Sequence, residues 1–426
     1  MDRIVVLGAG TGGTLAANRL RRAHSESEAS VTVVDQDDVH VYQPGLLFVP
    51  FGLAHPEDIV RPRGRQLHRG IEYLVDPIDS VELEDRRVRL TDGREHPYDV
   101  LVVATGAALA PEETEGLTGV GWREKVFTFY DLEGAHALAD RLEFFEGGRV
   151  VVNIVEMPIK CPVAPLEFCF LADWYFRQQQ VRDKLELTFV TPLDGAFTKP
   201  VASRQLGGLL DQRGIELVTE FNTGEVDGVG GKLVSYDERE VPFDLAVVVP
   251  VHNGAAYVTR SPGLGDPLGF VPTDEHTLQS RASPHVFALG DAAALPISKA
   301  GSVTHFEGEV LVENVHLFLA GQPLDASYDG HANCFIETGF SKAMLIDFNY
   351  DTEPLAGRFP GSVGLPLLTE SRLNHLGKLA FQQFYWHMLL PGRDVPGLAT
   401  AMPRAGKRFS AAADAGTVLT GSRHDE

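Results

Sequence analysis

Apolar runs alternate with amphipathic stretches at the start of the chain. Residues 3–7 are apolar after Arg3 and predict a buried strand, and residues 14–20 predict a helix. Residues 31–34 predict a second strand, and a glycine-rich run, residues 8–13, lies between the first strand and the helix. Strand, turn, helix and strand in this order predict an α/β fold with a parallel sheet.

The glycine-rich turn has the spacing of a dinucleotide-binding site. Gly8 allows the tight turn, Gly10 lets the backbone approach a pyrophosphate, and Gly13 permits close packing of the helix on the strand. Asp35 ends the second strand about twenty residues later, where a carboxylate accepts a hydrogen bond from a ribose hydroxyl. The glycines alone are a weak signal, but together with the two strands, the helix and the acid they predict a nucleotide site.

A second alternation of strands and helices begins near residue 148 and predicts another doubly wound unit, inserted between two segments of the first. Strands are predicted over 148–155, 185–190, 215–219 and 245–251, and helices near 165–177 and 201–213. The first of these strands leads into residues 156–165, which contain three prolines and no glycine. Proline removes backbone donors, so this segment cannot form a phosphate-binding turn, and NAD(P)H is not expected to be the electron donor.

Composition narrows the class of protein. A chain of 426 residues predicts two or three structural units, and 44% hydrophobic with 23% charged residues is typical of a soluble globular protein. The net charge of −22 argues against nucleic acid as a partner. No apolar run is long enough for a transmembrane helix, and the N-terminus lacks the features of a signal peptide, so a cytoplasmic location is expected.

The chain has three cysteines, too few for a disulfide framework, so any pairing among them is expected to be redox-active. Cys161 follows Lys160 just before a predicted helix; a helix N-terminus and an ammonium both lower a thiol pKa, so a nucleophilic thiolate is expected there. Cys334 lies among Gly, Asn and His residues, which predicts a loop. Cys169 falls in an apolar helix and is expected to be buried and inert. These residues alone leave a pairing of Cys161 with Cys334 open.

Two further segments resemble the FAD-binding segments of flavoproteins with two dinucleotide folds. Residues 98–106, which end in Thr105 and Gly106, resemble the strand and turn that close the first FAD segment. Residues 286–291, which end in Gly290 and Asp291, resemble the second FAD signature, whose aspartate binds the ribityl chain. The resemblance implies FAD as the cofactor.

Four segments together resemble the sulfide:quinone oxidoreductase family, and the resemblance covers nearly the whole chain. They are residues 40–46, 158–165, 329–350 and 374–381, of which the two that contain Cys161 and Cys334 are the most discriminating. The family implies two Rossmann-like domains of glutathione-reductase type and a C-terminal, partly helical region for membrane and quinone contact. On this basis we expect an FAD-binding domain over 1–110 and 265–330, a second Rossmann-like domain over 111–264, and a C-terminal region over 331–426.

The resemblance implies that Cys161 and Cys334 are the redox pair of a sulfide-oxidising enzyme. Hydrosulfide would attack the oxidised pair, leaving a persulfide and a thiolate, and two electrons would pass through FAD to a membrane quinone while the sulfur leaves as polysulfide or on an acceptor. Many members carry a further cysteine before the second domain, but residues 126–131 contain none, so FAD is predicted to be bound non-covalently. No metal site is predicted.

The resemblance also assigns a membrane and quinone region. Residues 364–392 carry apolar positions about three and four apart, interleaved with cations, which is typical of an interfacial amphipathic helix; a helix that covers the core is the alternative. Lys378 and Phe381 match quinone-adjacent positions, and His305 and Glu307 lie near a helix that the family places beside flavin and quinone. We expect a peripheral protein at the cytoplasmic face of the plasma membrane, with the oligomeric state open and a polar tail after Ala411 disordered.

Three alternatives to this function remain open at this point. A flavocytochrome c-type sulfide dehydrogenase subunit has the same cysteine logic but would be exported and donate to a cytochrome. A type II NADH dehydrogenase needs the second glycine motif, which residues 156–165 lack. A non-catalytic flavoprotein that binds sulfide or persulfide is an alternative of another class. Glu167 is interpreted either as an acid–base near Cys161 or as an ordinary charge in the first turn of a helix.

Overall fold

The fold is described from a computed structural model, in which residues 1–393 and 399–409 are placed. The tail predicted after Ala411 lies outside the described residues.

The helices predicted over 14–20 and near 165–177 and 201–213 are observed, with bounds within about three residues of the predicted ones. In chain order the helices are α1 (Thr11–Ala23), α2 (Pro56–Ile59), α3 (Leu132–Glu143), α4 (Ala164–Gln178), α5 (Pro200–Gln212), α6 (Ala256–Arg260), α7 (Gly301–Leu319) and α8 (Arg372–Phe384), and α8 continues into a π-helical turn over Tyr385–Leu389.

The strands are mostly short. In chain order they are β1 (Asp2–Leu7), β2 (Ala29–Asp35), β3 (Val39–Val41), β4 (Val60–Pro62), β5 (Ile71–Val75), β6 (Ile78–Glu82), β7 (Arg87–Leu90), β8 (Glu95–Pro97), β9 (Val100–Val103), β10 (Ala108–Leu109), β11 (Val126–Phe127), β12 (Gly148–Ile154), β13 (Leu185–Val190), β14 (Ile215–Val218), β15 (Thr223–Asp227), β16 (Lys232–Ser235), β17 (Glu240–Pro242), β18 (Leu245–Val249), β19 (His252–Asn253), β20 (Val271–Pro272), β21 (Val286–Ala288), β22 (Ala293–Ala294), β23 (Ala332–Gly339), β24 (Lys342–Phe348), β25 (Gly357–Phe359) and β26 (Leu365–Leu367).

Two five-stranded parallel sheets organise the chain. The first has the strand order β21-β9-β1-β2-β5, and the second has the order β11-β18-β12-β13-β14. The inner strands β9 and β18 are buried along their whole length, and the central strands β1 and β12 are buried after their first two residues, as expected for parallel strands that are covered on both faces. The prediction of two Rossmann-like units is confirmed.

The first sheet draws its strands from two distant parts of the sequence. Strands β1, β2, β5 and β9 lie before residue 104, whereas β21, which pairs with β9 in parallel, begins at Val286. The second sheet takes its strands from residues 126–249, between these two parts. We therefore retain the division into 1–110 with 265–330, 111–264 and 331–426 as our proposal for the domains.

The C-terminal part is an antiparallel hairpin of β23 and β24, against which α8 packs. Helix α4 of the second unit packs on β23 as well. Helices α4 and α8, which come from different parts of the chain, therefore meet at this hairpin. Among the residues that the structure describes, none of the helices combines the length and the apolar character that a bilayer crossing requires.

Candidate functional site

The turn between β1 and α1 is built so tightly that only glycine fits two of its positions. Gly8 has a φ of +93°, and a Cβ there would lie 2.5 Å from the carbonyl oxygen of Ala104. A Cβ on Gly13 would lie 1.7 Å from the carbonyl oxygen of Gly8. At Gly10, by contrast, nothing lies within 4 Å of a Cβ, so the backbone at the N-terminus of α1 faces open space. This is the arrangement that lets a pyrophosphate approach a helix N-terminus.

Asp35, at the end of β2, lies beside this turn and is buried. Its carboxylate accepts hydrogen bonds from the backbone N–H of Ala9 at 2.5 Å and of Gln36 at 2.7 Å, and it also pairs with Arg63. The carboxylate is thereby fixed next to the glycine turn, where the sequence predicts a ribose acceptor.

The ends of β9 and β21 complete the same edge of the first sheet. The Thr105 hydroxyl lies 3.2 Å from the Tyr257 hydroxyl, and Gly106 and Gly290 both have positive φ, +71° and +66°. The backbone N–H of Gly290 donates to Oε2 of Glu307 at 2.6 Å. Because the carboxyl ends of parallel strands form the ligand crevice of such sheets, these residues lie where a dinucleotide binds.

A small cavity lies between the end of β21 and α7, and its walls include Gly290, Lys299, Val303 and Glu307. Burial raises the pKa of the Glu307 carboxyl to about 8. Burial also raises the pKa of Asp291, and the nearby Lys299 and Lys160 counteract that shift. The open space at Gly10 and the fixed carboxylate of Asp35 are the features that a site for the nucleotide part of a flavin cofactor requires.

Cys161 lies in the turn before α4, with a φ of +48° that is uncommon for a residue other than glycine. Its N–H donates to the carbonyl oxygen of Lys299 at 2.6 Å, and its own carbonyl accepts from the Tyr130 hydroxyl at 3.1 Å. The first bond ties the cysteine to the segment that follows the second FAD signature. Cys161 therefore faces the nucleotide-binding unit although it belongs to the second one.

Cys334 was predicted in a loop, and that prediction was wrong. It lies in β23 and pairs with Ile346 of β24, because the residues after Asn333 alternate between the two faces of the hairpin. Gly330, Asn333 and Gly339 mark the ends of the strand rather than a loop around the cysteine. All three cysteines are free thiols, and Cys169 is buried in α4 as predicted.

The expected thiolate character of Cys161 was also wrong in direction. Burial, with a smaller contribution from the Glu167 carboxylate, raises the pKa of the Cys161 thiol to about 12, although Lys378 counteracts both. Burial raises the pKa of Cys334 as well, and the second-largest contribution comes from Cys161. Burial lowers the pKa of Lys160 itself, and Asp291, Asp131 and Cys161 counteract that shift. The two thiols thus influence each other, and both depend on the charges of Glu167 and Lys378.

Glu167 and Lys378 form an ion pair next to the cysteines. Nζ of Lys378 donates to Oε1 of Glu167, and the same oxygen accepts the N–H of Glu337 at 2.6 Å. The side chains of Glu167 and Lys378 are only 2% and 10% exposed. Burial raises the pKa of Glu167, and Lys378 is the main influence that lowers it. The predicted acid–base residue and a predicted quinone-adjacent residue are therefore direct partners.

Some apolar residues of α8 and of the π-helical turn after it are exposed to solvent, and others are buried in the core. Leu373, Leu376 and Leu379 are 51%, 59% and 50% exposed and lie along one side of the helix, whereas Tyr385 and Trp386 in the following π-helical turn are buried. The apolar stretch predicted over 364–392 is thus part surface and part core. Phe381 is partly buried, with its ring 6.0 Å from that of Phe384.

The other two residues predicted near the quinone lie apart from α8. His305 is buried on α7, where its neighbours are Glu309 at 3.6 Å and Arg19 of α1. Glu307 accepts the backbone N–H of Gly290 instead, so it lies with the turn that follows β21. The structure brings Glu307 toward the nucleotide unit and gives His305 polar partners that include neither Lys378 nor Phe381.

Sequence reasoning missed one link between the C-terminal region and the nucleotide site. The Tyr385 hydroxyl lies 2.7 Å from the Thr11 hydroxyl, at the first residue of α1, and 2.6 Å from Nε2 of His40. His40 in turn contacts the carbonyl oxygen of Ala9 through Nδ1 at 3.2 Å. No local sequence pattern predicts this contact, because Thr11 and Tyr385 lie at opposite ends of the chain.

The chain is similar to a known protein family and to several curated proteins. The family described as pyridine nucleotide-disulphide oxidoreductase matches residues 2–152. A relative named sulfide:quinone oxidoreductase, mitochondrial, from Dictyostelium discoideum is 29% identical over 402 residues, covering 92% of this chain and 87% of the relative. The protein of that name from Mus musculus is 27% identical and covers 91% and 86%.

A solved structure supports the fold. The X-ray structure of the sulfide:quinone oxidoreductase from Aquifex aeolicus superposes with a TM-score of 0.78 at 20% identity, covering 92% of each chain. The family match lies in the N-terminal part of the chain, whereas the curated relatives and the solved structure each cover about nine tenths of it. Over about nine tenths of its length, the chain is similar to proteins that are named sulfide:quinone oxidoreductase.

Proposed function

We propose that the protein is an FAD-dependent sulfide:quinone oxidoreductase in which Cys161 and Cys334 are the redox pair. The observation that carries this proposal is the packing of α4, which follows Cys161, on β23, which carries Cys334, together with the buried Glu167–Lys378 pair that is hydrogen-bonded to β23 at Glu337. Perturbed nucleophiles that share a buried charge pair are typical of a catalytic site. Cys169, the remaining thiol, lies inside α4 and has no ionic neighbour that affects its pKa.

The first step uses the oxidised form of the pair. Hydrosulfide attacks one sulfur of the Cys161–Cys334 disulfide; a new S–S bond forms between that sulfur and the hydrosulfide, and the old S–S bond breaks. The other cysteine leaves as a thiolate with the bonding electron pair. Lys378 stabilises this thiolate because its ammonium lowers the pKa of both cysteines.

Glu167 accepts the proton that is released after this step. The persulfide that forms carries the hydrogen of the hydrosulfide, and it must lose that hydrogen before the sulfur is released. A carboxylate whose pKa is raised by burial is a suitable acceptor. Its contact with Lys378 keeps it ionised until the proton arrives.

The cofactor proposed for this chain is non-covalent FAD. Gly8, Gly10 and Gly13 with Asp35 would hold the adenosine and pyrophosphate part, and Thr105, Gly106, Gly290 and Asp291 the flavin part. When bound, FAD supplies a two-electron relay between the cysteine pair and a quinone. The protein supports a non-covalent mode because none of its three cysteines lies in residues 126–131.

We place the quinone and membrane contact at α8. The exposed Leu373, Leu376 and Leu379 would lie against the lipid while Phe381 and Lys378 face the interior. An amphipathic helix with this division suits peripheral attachment in the interface. A quinone that enters from the lipid would thus reach the protein next to the Glu167–Lys378 pair.

The purified holoprotein tests the proposal directly. Under anaerobic conditions, sulfide should bleach the flavin absorbance, a short-chain quinone should restore it, and NADH should do neither. Bleaching by NADH would overturn the assignment of the donor. Recovery with cytochrome c but not with quinone would instead favour a flavocytochrome-type partner, and no response to sulfide would favour a flavoprotein that only binds sulfur species.

A further inference from the structure

A second carboxylate, Glu337, lies directly behind the Glu167–Lys378 pair. It belongs to β23, the strand that carries Cys334, and its side chain is 2% exposed. Its backbone N–H donates to Glu167 at 2.6 Å, while Oε2 of its side chain lies 2.9 Å from Nδ1 of His375. One residue thus contacts the proposed acid–base group on one side and an imidazole on the other.

His375 and Lys378 lie one turn apart on α8. The same helix therefore carries the partner of each carboxylate. The His375 side chain is 20% exposed, the largest exposure of the four groups. Imidazole is the side chain that changes charge near neutral pH.

The charge of the cluster depends on this imidazole. Glu167 and Glu337 supply two negative charges, and Lys378 supplies one positive charge. With His375 protonated the four groups are neutral, and with His375 neutral they carry one net negative charge. A buried net negative charge disfavours the anions that the sulfur chemistry requires, namely a thiolate and an incoming hydrosulfide.

We propose that Glu337 and His375 form a positioning pair for the sulfide half-reaction, in which the protonated imidazole neutralises Glu337 so that Lys378 stays available to Glu167 and the cysteine sulfurs. This role rests on the proposed function of Cys161 and Cys334. Neither residue touches the reacting sulfurs; both act through Lys378 and Glu167.

The other titratable groups around the cluster do not replace His375. Glu337 raises the pKa of both Glu167 and Lys378. Tyr42 and Tyr130 face Glu167 and Cys161, but burial raises the pKa of both hydroxyls far above neutrality. Asp347 of β24 raises the pKa of Cys334, and its carboxylate is itself paired with Lys407 and with Nε2 of His331. His375 is thus the imidazole that contacts the cluster itself, whereas His331 contacts Asp347.

The thiolate fraction of the reduced cysteine pair tests the proposal without sulfide or quinone. The holoprotein is reduced with a phosphine and alkylated with iodoacetamide between pH 6 and 9, and the modification of Cys161 and Cys334 is followed by peptide mass spectrometry. His375→Gln should slow alkylation about three- to tenfold near pH 7, and Glu337→Gln should accelerate it by a similar factor. Disruption of structure alone would change both variants in the same direction.

His375→Arg keeps a permanent positive charge and should alkylate several-fold faster than His375→Gln, with a flatter pH profile. Arg372→Gln, on the exposed first turn of α8, removes a positive charge outside the cluster and should match the wild type. Flavin content and Tm verify that each variant is folded. Equal alkylation rates in the Gln and Arg variants, or shifts of the two Gln variants in one direction, would overturn the proposal.

Sulfide-driven bleaching, corrected for the hydrosulfide fraction at each pH, should follow the same order of variants. If sulfide bleaches no variant while the alkylation rates follow the predicted order, then the proposed function fails and the electrostatic role of the pair stands. If bleaching proceeds normally and alkylation does not respond, the positioning role fails by itself.

Discussion

Lys378 and Glu167 form a buried ion pair across 211 positions of sequence. The pair joins α8, which carries the proposed membrane surface, to α4, which follows Cys161. Burial raises the pKa of the Glu167 carboxyl, and Lys378 is the partner that keeps it ionised. A single contact therefore connects the region proposed for the quinone to the region proposed for sulfide.

Replacing Lys378 by Gln should slow sulfide-driven flavin bleaching by about tenfold or more at pH 7. A buried carboxylate that loses its cation takes up a proton, and the cysteine thiols lose the charge that favours their thiolates. Stopped-flow absorbance of the flavin measures the rate. Lys342→Gln, an exposed lysine of β24, is the matched control and should bleach at the wild-type rate. Unchanged kinetics in Lys378→Gln would remove the pair from the mechanism.

Cys161→Ser and Cys334→Ser should each abolish sulfide-driven turnover and leave FAD bound. A hydroxyl can neither form the disulfide nor accept the sulfane sulfur. Turnover is measured with sulfide and a short-chain quinone, and bound FAD from its absorbance after gel filtration. Cys169→Ala controls for loss of a thiol: it removes a buried sulfur, which lowers stability by roughly 1 kcal/mol or more, but turnover should remain. Activity in either serine variant would exclude the paired role.

Local patterns explain why much of the fold was predictable. The strand predicted over 185–190 is confirmed as β13, because a run of apolar residues bounded by polar ones marks a buried parallel strand. The glycine turn was predictable for the same reason, since backbone crowding at Gly8 and Gly13 is a property of the turn itself.

The contacts of the candidate site were not predictable in this way. Lys378 matched a family position near the quinone, but its bond to Glu167 arises only when α8, β23 and α4 pack together. The pKa of Cys161 was predicted in the wrong direction because burial outweighs a neighbouring ammonium, and burial is a property of the whole fold. Tyr385 and Thr11 meet for the same reason, without any local signal.

Two glycine substitutions in the same turn should have different effects. Gly10→Ala adds a Cβ into open space, so the flavin-free protein should keep its Tm, whereas FAD should bind at least about tenfold more weakly because the pyrophosphate loses its approach. Gly13→Ala places a Cβ 1.7 Å from the Gly8 carbonyl, so both the Tm and FAD binding should fall. Thermal melts and fluorescence titration with FAD measure the two quantities. Wild-type FAD affinity in Gly10→Ala would place the nucleotide elsewhere.

Glu307 should make the flavin-free protein less stable as the pH rises. Its folded-state pKa is raised to about 8 from an ordinary value near 4.5, so the folded state holds a proton that the unfolded state has released. The contribution to stability is complete below pH 4.5, falls by up to about 1.4 kcal/mol per pH unit between 4.5 and 8, and is lost above 8. Glu307→Gln still accepts the Gly290 N–H and cannot ionise. The variant should therefore gain Tm relative to the wild type from pH 5 to pH 8; a constant difference over that range would contradict the assignment.

Leu376 should determine how tightly the protein binds to lipid without affecting its redox chemistry. It is 59% exposed between Leu373 and Leu379 on the outer side of α8, so a charge there would have to enter the interface. Leu376→Glu should reduce co-sedimentation with phospholipid vesicles and slow turnover with a long-chain quinone embedded in them by about tenfold. Turnover with a short-chain, water-soluble quinone should stay within about twofold of the wild type, since Leu376 has no partner among the cysteines or the ion pair.

Val229→Glu, at a residue of the second unit that is 72% exposed, introduces the same charge away from α8 and should change neither measurement. Equal vesicle binding by Leu376→Glu and Val229→Glu would show that α8 is not the lipid-contacting surface, and the quinone would then have to reach Lys378 and Phe381 from another side.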